Sequence, residues 1–110
     1  NGNKHLIKFL IENGADLNKK GKNGYTPLHI ACMKGNEPLV KYLVEHGADV
    51  NKEGGYTNKT SLYFACQNGN DSIVKYLIAH GANVNKKIRY GKTPLIVACE
   101  KGNESIVKYL

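Results

Sequence analysis

Thr26-Pro27-Leu28-His29-Ile30-Ala31 decides the fold, because the chain returns to the same pattern at fixed intervals. Thr60-Ser61-Leu62 and Thr93-Pro94-Leu95 follow at spacings of 34 and 33 residues. Each run leads into an Ala-Cys pair: Ala31-Cys32, Ala65-Cys66 and Ala98-Cys99. Two further landmarks keep the period. Gly14-Ala15-Asp16-Leu17-Asn18 returns as Gly47-Ala48-Asp49-Val50-Asn51 and as Gly81-Ala82-Asn83-Val84-Asn85. Gly2-Asn3 returns as Gly35-Asn36, Gly69-Asn70 and Gly102-Asn103. Independent landmarks with one period along a whole chain mark a repeat architecture.

Each unit can be built from local chemistry. Thr26, Thr60 and Thr93 are suited to the N-cap, where a hydroxyl accepts from an orphan backbone N–H of the first turn. Pro27 and Pro94 then occupy the first helical position, where a missing N–H costs nothing. Leu28, Ala31 and Cys32 fall at i, i+3 and i+4, one face of a short helix. Gly35, Gly69 and Gly102 supply the left-handed residue that ends it. A second helix follows, with apolar faces Leu39, Val40, Leu43, Val44, then Ile73, Val74, Leu77, Ile78, then Ile106, Val107, Leu110. Gly14, Gly47 and Gly81 stop these helices, and a loop rich in Gly, Asn, Lys and Tyr leads to the next unit. Helices of roughly eight to ten residues are marginal alone. Stacking one pair on the next gives the quasi-one-dimensional core of a solenoid.

The hexapeptide Thr26–Ala31 matches the pattern T-P-L-H-x-A. With the 33-residue period it makes the chain resemble the ankyrin-repeat family over essentially all 110 residues. The resemblance implies an all-α ankyrin-repeat solenoid of stacked helix–turn–helix units with projecting β-hairpin-like loops. It divides the single domain 1–110 into a partial unit 1–20, units 21–52 and 53–86, and a truncated unit 87–110. Ser61 departs from the motif's proline, Tyr63 and Ile96 from its histidine, and the loop before Thr60 carries one extra residue. The chain starts at a Gly-Asn turn and stops inside a second helix with no polar capping unit at either end. That pattern is expected of a piece of a longer array, and bare ends invite head-to-tail self-stacking, a heterologous contact.

Composition bounds the function classes. At 110 residues, 41% hydrophobic and 23% charged, the chain is an ordinary folded domain rather than a disordered one. No apolar stretch approaches the ~20 residues of a membrane span, so no membrane partner is expected. Three free cysteines suit a reducing compartment, and a cytoplasmic location is the expectation. The net charge of +7 has a location. Segments 19–25, 52–59 and 86–92 hold nine bases against one acid, Glu53, so the rest of the chain is close to neutral. On the second helices Glu37–Lys41, Asp71–Lys75 and Glu104–Lys108 are spaced for i,i+4 pairs on a solvated face. The loop lysines have three readings: compositional drift or solubility, an acidic protein partner, or nucleic acid. Arg89 stands alone beside 15 lysines, and arginine is the residue that reads phosphate and guanine bidentately, which disfavours the third.

Catalytic and metal chemistry finds no foothold. Cys32, Cys66 and Cys99 hold one position in successive units. Packed helices lie about 8–10 Å apart, too far for a disulfide or a shared zinc, so all three are expected to be small buried core residues. His29 is the motif's histidine, which the family uses for a structural hydrogen bond from the helix start to the adjacent loop. His46 and His80 end second helices, where an imidazole suits the negative terminus, and His5 lies near the chain's start. No Ser/His/Asp set, P-loop or metal-ligand spacing occurs, so no cofactor and no enzyme activity are expected. The three sequons beginning at Asn58, Asn70 and Asn103 are accidental in so Asn-rich a chain. Asn18, Asn51 and Asn85 are expected to brace turns. In the family that asparagine is also a hydroxylation substrate, which the resemblance extends to this chain as a lesser reading.

The remaining signal is the surface the units do not share. Ankyrin stacks bind partners with the loop tips and the exposed side of the first helices. Carried over, the tip positions are Lys22, Asn23 and Tyr25, then Tyr56, Thr57 and Lys59, then Arg89, Tyr90 and Lys92. The first-helix positions are Met33 and Lys34, Gln67 and Asn68, Glu100 and Lys101. Tyr and Arg are favoured at interface hot spots, and methionine makes adaptable apolar contacts. The tyrosines could equally lie down on neighbouring loops as packing. The expected function is protein–protein recognition through a Lys- and Tyr-rich concave face presented to an acidic partner. The alternatives are a structural spacer in a longer array, and a nucleic-acid-binding surface.

Overall fold

A computed structural model describes residues 16–21 and 23–110. The early turn Gly2-Asn3, His5, Gly14, Lys22 and most of the partial unit 1–20 lie outside the described residues. Six helices follow in pairs: α1 (Pro27–Lys34) and α2 (Glu37–Glu45), α3 (Ser61–Asn68) and α4 (Asp71–Ala79), α5 (Pro94–Glu100) and α6 (Glu104–Tyr109). Among the described residues no strand occurs. No helix among them is long and apolar enough to cross a membrane.

The helix starts follow from the capping residues. Thr26, Thr60 and Thr93 stand in extended backbone and their hydroxyls accept from the backbone N–H three residues on. Gly35 and Gly69 end α1 and α3 in the left-handed region, at φ 67° and 70°. α5 stops one residue sooner, at Lys101, and Gly102 takes the left-handed turn beyond it. The Gly-Asn landmark has a second half that the pattern alone did not reveal. Asn36, Asn70 and Asn103 are the N-caps of α2, α4 and α6, with Oδ1 accepting from Leu39, Ile73 and Ile106 N–H at 3.2, 3.1 and 3.0 Å.

Stacking supplies the core. First helices α1, α3 and α5 pack in one row and second helices α2, α4 and α6 in another. The facing residues of the first row are small: Ala31, Cys32, Ala65, Cys66 and Ala98 are buried. Leu39, Val40, Leu43, Ile73, Val74, Leu77 and Ile106 fill the layer behind. The result is elongated, 40 × 26 × 21 Å.

Two expectations need correction. Cys32 and Cys66 are buried, and burial pushes their thiols up to about 12. Cys99 is exposed, because among the described residues no further unit covers its helix. Of the three i,i+4 pairs, Glu37–Lys41 closes at 3.4 Å. The other two do not form ion pairs: Lys75 lies 5.6 Å over the Tyr109 ring, and Asp71 accepts from Asn103 Nδ2 at 3.5 Å. For Asp71 and Lys75, contacts to the next unit replace the contact along the helix.

Candidate interaction surface

The loop tips are joined to one another and to the helices beneath. Each closes on itself: Gly21 N–H donates to Tyr25 O at 2.9 Å, and Ile88 N–H to Lys92 O at 2.9 Å. Gly54 and Lys59 exchange both backbone bonds, 2.8 and 3.0 Å, as an antiparallel bridge. The extra residue of this loop is absorbed inside the bridge, with Asn58 at φ 57° where the other two tips use Gly24 and Gly91. Tips also bond in series, Gly55 N–H to Gly24 O at 3.1 Å and Arg89 N–H to Thr57 O at 2.7 Å.

His29 ties tip to helix. Its Nδ1 accepts from Thr26 N–H at 2.9 Å, so its Nε2–H donates to Lys52 O at 2.7 Å. Desolvation holds its pKa below the ordinary histidine value. Gly54 must be glycine here, since a Cβ would meet the His29 ring at 2.7 Å and Gly24 O at 2.8 Å. Below the tips, Asn18 and Asn51 bridge units rather than only bracing their own turns. Asn51 Oδ1 accepts from Asn83 N–H at 2.7 Å and its Nδ2 donates to Gly81 O at 3.0 Å. Asn18 does the same to Asp49 and Gly47.

On this frame the candidate surface residues divide. Tyr56 and Tyr90 stand free, 90% and 74% exposed. Tyr25 lies down: its ring meets His29 and Phe64 edge-on at 6.0 and 5.7 Å and covers Gly55. By the loop hydrogen bonds, Tyr25 is the equivalent of Lys59 and Lys92, not of Tyr90. Lys59 sits over Tyr63 and Phe64, at 5.3 and 5.7 Å from the ring centres. Asn68 points back, its Nδ2 donating to Cys32 O at 2.9 Å and Met33 O at 2.6 Å at the end of α1. Met33 is half-buried against the core, and Gln67 and Thr57 are half-buried. Asn23, Lys34, Arg89, Glu100 and Lys101 are exposed. Ile30, 43% exposed, joins this surface unannounced. Its signal was available, since it lies three residues before Met33 on the same side of α1.

The charge is partly neutralised. Lys86 pairs with Glu53 at 2.7 Å and Lys92 with Glu100 at 3.0 Å. Those are the two acids of the described tips and first helices, and both are taken. Lys19, Lys20, Lys34, Lys52, Lys59, Lys87, Arg89 and Lys101 have no carboxylate partner among the described residues. No cluster of histidine, cysteine and acid among the described residues could hold a metal.

The family model for ankyrin repeats matches in three copies, over residues 1–88 and 53–110. The chain belongs to the ankyrin-repeat family. Ankyrin repeats generally mediate protein–protein interaction. Protein phosphatase 1 regulatory subunit 27 of Mus musculus is 47% identical over 34 residues, which is 31% of this chain and 22% of that protein. The Homo sapiens protein of the same name matches to the same extent. The chain thus spans 22% of the length of these curated relatives, about one repeat unit.

Proposed function

We propose that this ankyrin segment is a non-catalytic interaction module that binds an acidic protein through its loop tips and the adjoining side of its first helices. The observation that carries this reading is the coincidence of two things on one edge. Tyr56 and Tyr90 stand clear of the fold, and the cations around them outnumber acids that are already paired. Exposed tyrosines bring contact area at low entropy cost, and uncompensated cations steer an acidic partner. The hydrogen-bonded tips are preorganised, so binding orders little. The relatives named as phosphatase regulatory subunits are non-catalytic by name, which fits a module of this kind. The scarcity of arginine weighs against nucleic acid, and a spacer would have no use for two bare tyrosines.

Photo-crosslinking residues placed at Asn23, Tyr90 and, as the control, Ser72 on α4 test this in lysate of the source cells. Crosslinks to the same protein from Asn23 and Tyr90 and none from Ser72 are expected. Equal yield from Ser72, or no crosslink from the tips, would overturn the proposal.

A further inference from the structure

Arg89 is the chain's single arginine, and the fold places it between the two bare tyrosines. Its backbone N–H holds the neighbouring tip through Thr57 O at 2.7 Å. Its Nη1 donates to Tyr56 O at 3.4 Å. This docks one edge of the guanidinium, and the Nε–Nη2 edge has no partner among the described residues. Tyr90 follows Arg89 in the chain, and Tyr56, whose carbonyl takes the Nη1 bond, belongs to the neighbouring tip.

Tyr56 is also one wall of a cleft of about 230 Å³ between the first two tips, completed by Gly21, Asn23, Gly24 and Gly55. Ligand pockets for small molecules run to roughly 300–1,000 Å³. This cleft is below that range and suits one or two side chains of a peptide. Its floor is largely glycine, so a peptide backbone can approach it closely.

From these features the geometry points to a carboxylate-reading site: Arg89, flanked by Tyr56 and Tyr90, takes a Glu or Asp side chain of an extended partner segment while a small neighbouring side chain enters the glycine-lined cleft. The inference rests on the reading of the tip edge as the partner surface and names what it reads. A guanidinium edge with two parallel N–H groups matches two carboxylate oxygens, a fit that a lysine point charge lacks. Only one such edge is free, so the site suits a single carboxylate. Charge complementarity agrees, since Glu53 and Glu100, the acids on this side, are occupied by Lys86 and Lys92.

Because Arg89 is unique, the Arg Nε–Hε signal in a nitrogen-proton NMR spectrum reports on this site alone. The probe is the peptide acetyl-Ala-Glu-Val-Glu-Ala-amide, titrated at low salt beside its Gln-for-Glu counterpart. The Glu peptide is expected to move the Arg89 signal and to bind about tenfold tighter than the Gln peptide, the size of one charge-assisted hydrogen-bond pair. Arg89→Gln should remove that preference, Arg89→Lys should restore part of it, and Lys108→Gln on α6 should leave it intact. The backbone amide spectrum verifies that each variant is folded. A silent Arg89 signal, or a Glu preference that survives Arg89→Gln but falls in a Lys19→Gln, Lys20→Gln, Lys52→Gln variant, overturns the site and leaves the tip-edge reading standing. Equal binding of the two peptides overturns both the site and the acidic nature of the partner.

Discussion

At the scale of single residues, His29 concentrates the chemistry of the unit. Its ring is fully buried and both nitrogens are committed, one accepting from Thr26 N–H and one donating to Lys52 O. A proton added at Nδ1 would turn the acceptor into a second donor facing the Thr26 N–H. The folded-state pKa is lowered, chiefly by burial. A lowered histidine pKa means that the unfolded chain binds the proton first. The contribution is therefore present above the ordinary value near 6.5 and is lost as pH falls below it. The urea midpoint of the wild type should drop between pH 7.5 and pH 5. His29→Gln should be less stable at pH 7.5 but should lose less over the same interval. A wild type and variant that fall in parallel would show that other groups carry the pH dependence.

At the scale of the element, α3 shows what the motif's proline does by lacking it. Ser61 stands at the first helical position, fully buried. Its hydroxyl has no nitrogen or oxygen partner and faces only the Cys32 thiol, a weak group for hydrogen bonding. The position itself is ready for proline. Thr60 before it has φ −97° and ψ 169°, close to Thr26 and Thr93, which do precede proline. That extended backbone is what a residue before proline adopts. Ser61→Pro is expected to stabilise by about 0.5–1 kcal/mol through the unfolded chain, with a further gain from removing the unpaired hydroxyl. In thermal unfolding followed by circular dichroism, Tm should rise by roughly 4–8 °C per kcal/mol for a chain near this size. A lower Tm would mean that the ring clashes with α1.

At the scale of the whole molecule, stability is a property of neighbouring units. The asparagine ladder joins each Gly-Ala turn to the next. Asn51 makes two such bonds, whereas Asn85 has no following turn to bridge among the described residues. Asn51→Ala should cost about 0.5–1.5 kcal/mol, the net worth of exposed hydrogen bonds of this kind. Asn85→Ala should fall within about 0.5 kcal/mol of wild type in the same urea titration. Equal losses at the two positions would assign the asparagines to their own turns.

The repeat, the helix pairs, the threonine caps of the first helices and the apolar faces were legible in the sequence, whereas the asparagine caps of the second helices were not singled out. Each is set by chemistry within one unit, where spacing along the chain and spacing in space are the same thing. The chain's membership in its family followed from the same pattern. What the sequence could not show lies between units. Tyr25 and Tyr56 look alike as loop tyrosines, yet one packs on Phe64 and the other stands free, because Tyr25 is the residue that closes its tip whereas Tyr56, like Tyr90, lies inside the closing hydrogen bond. Lys86 and Lys92 look like free loop cations, yet each meets an acid, one in the preceding tip and one at the far end of α5. Cys99 carries the same pattern as Cys32 and Cys66 and differs only in having no described neighbour to cover it. Local capping and periodicity depend on residues a few positions apart, so sequence determines them. Exposure and pairing at the tips depend on residues about 33 positions apart brought side by side, and only the stacked structure decides those.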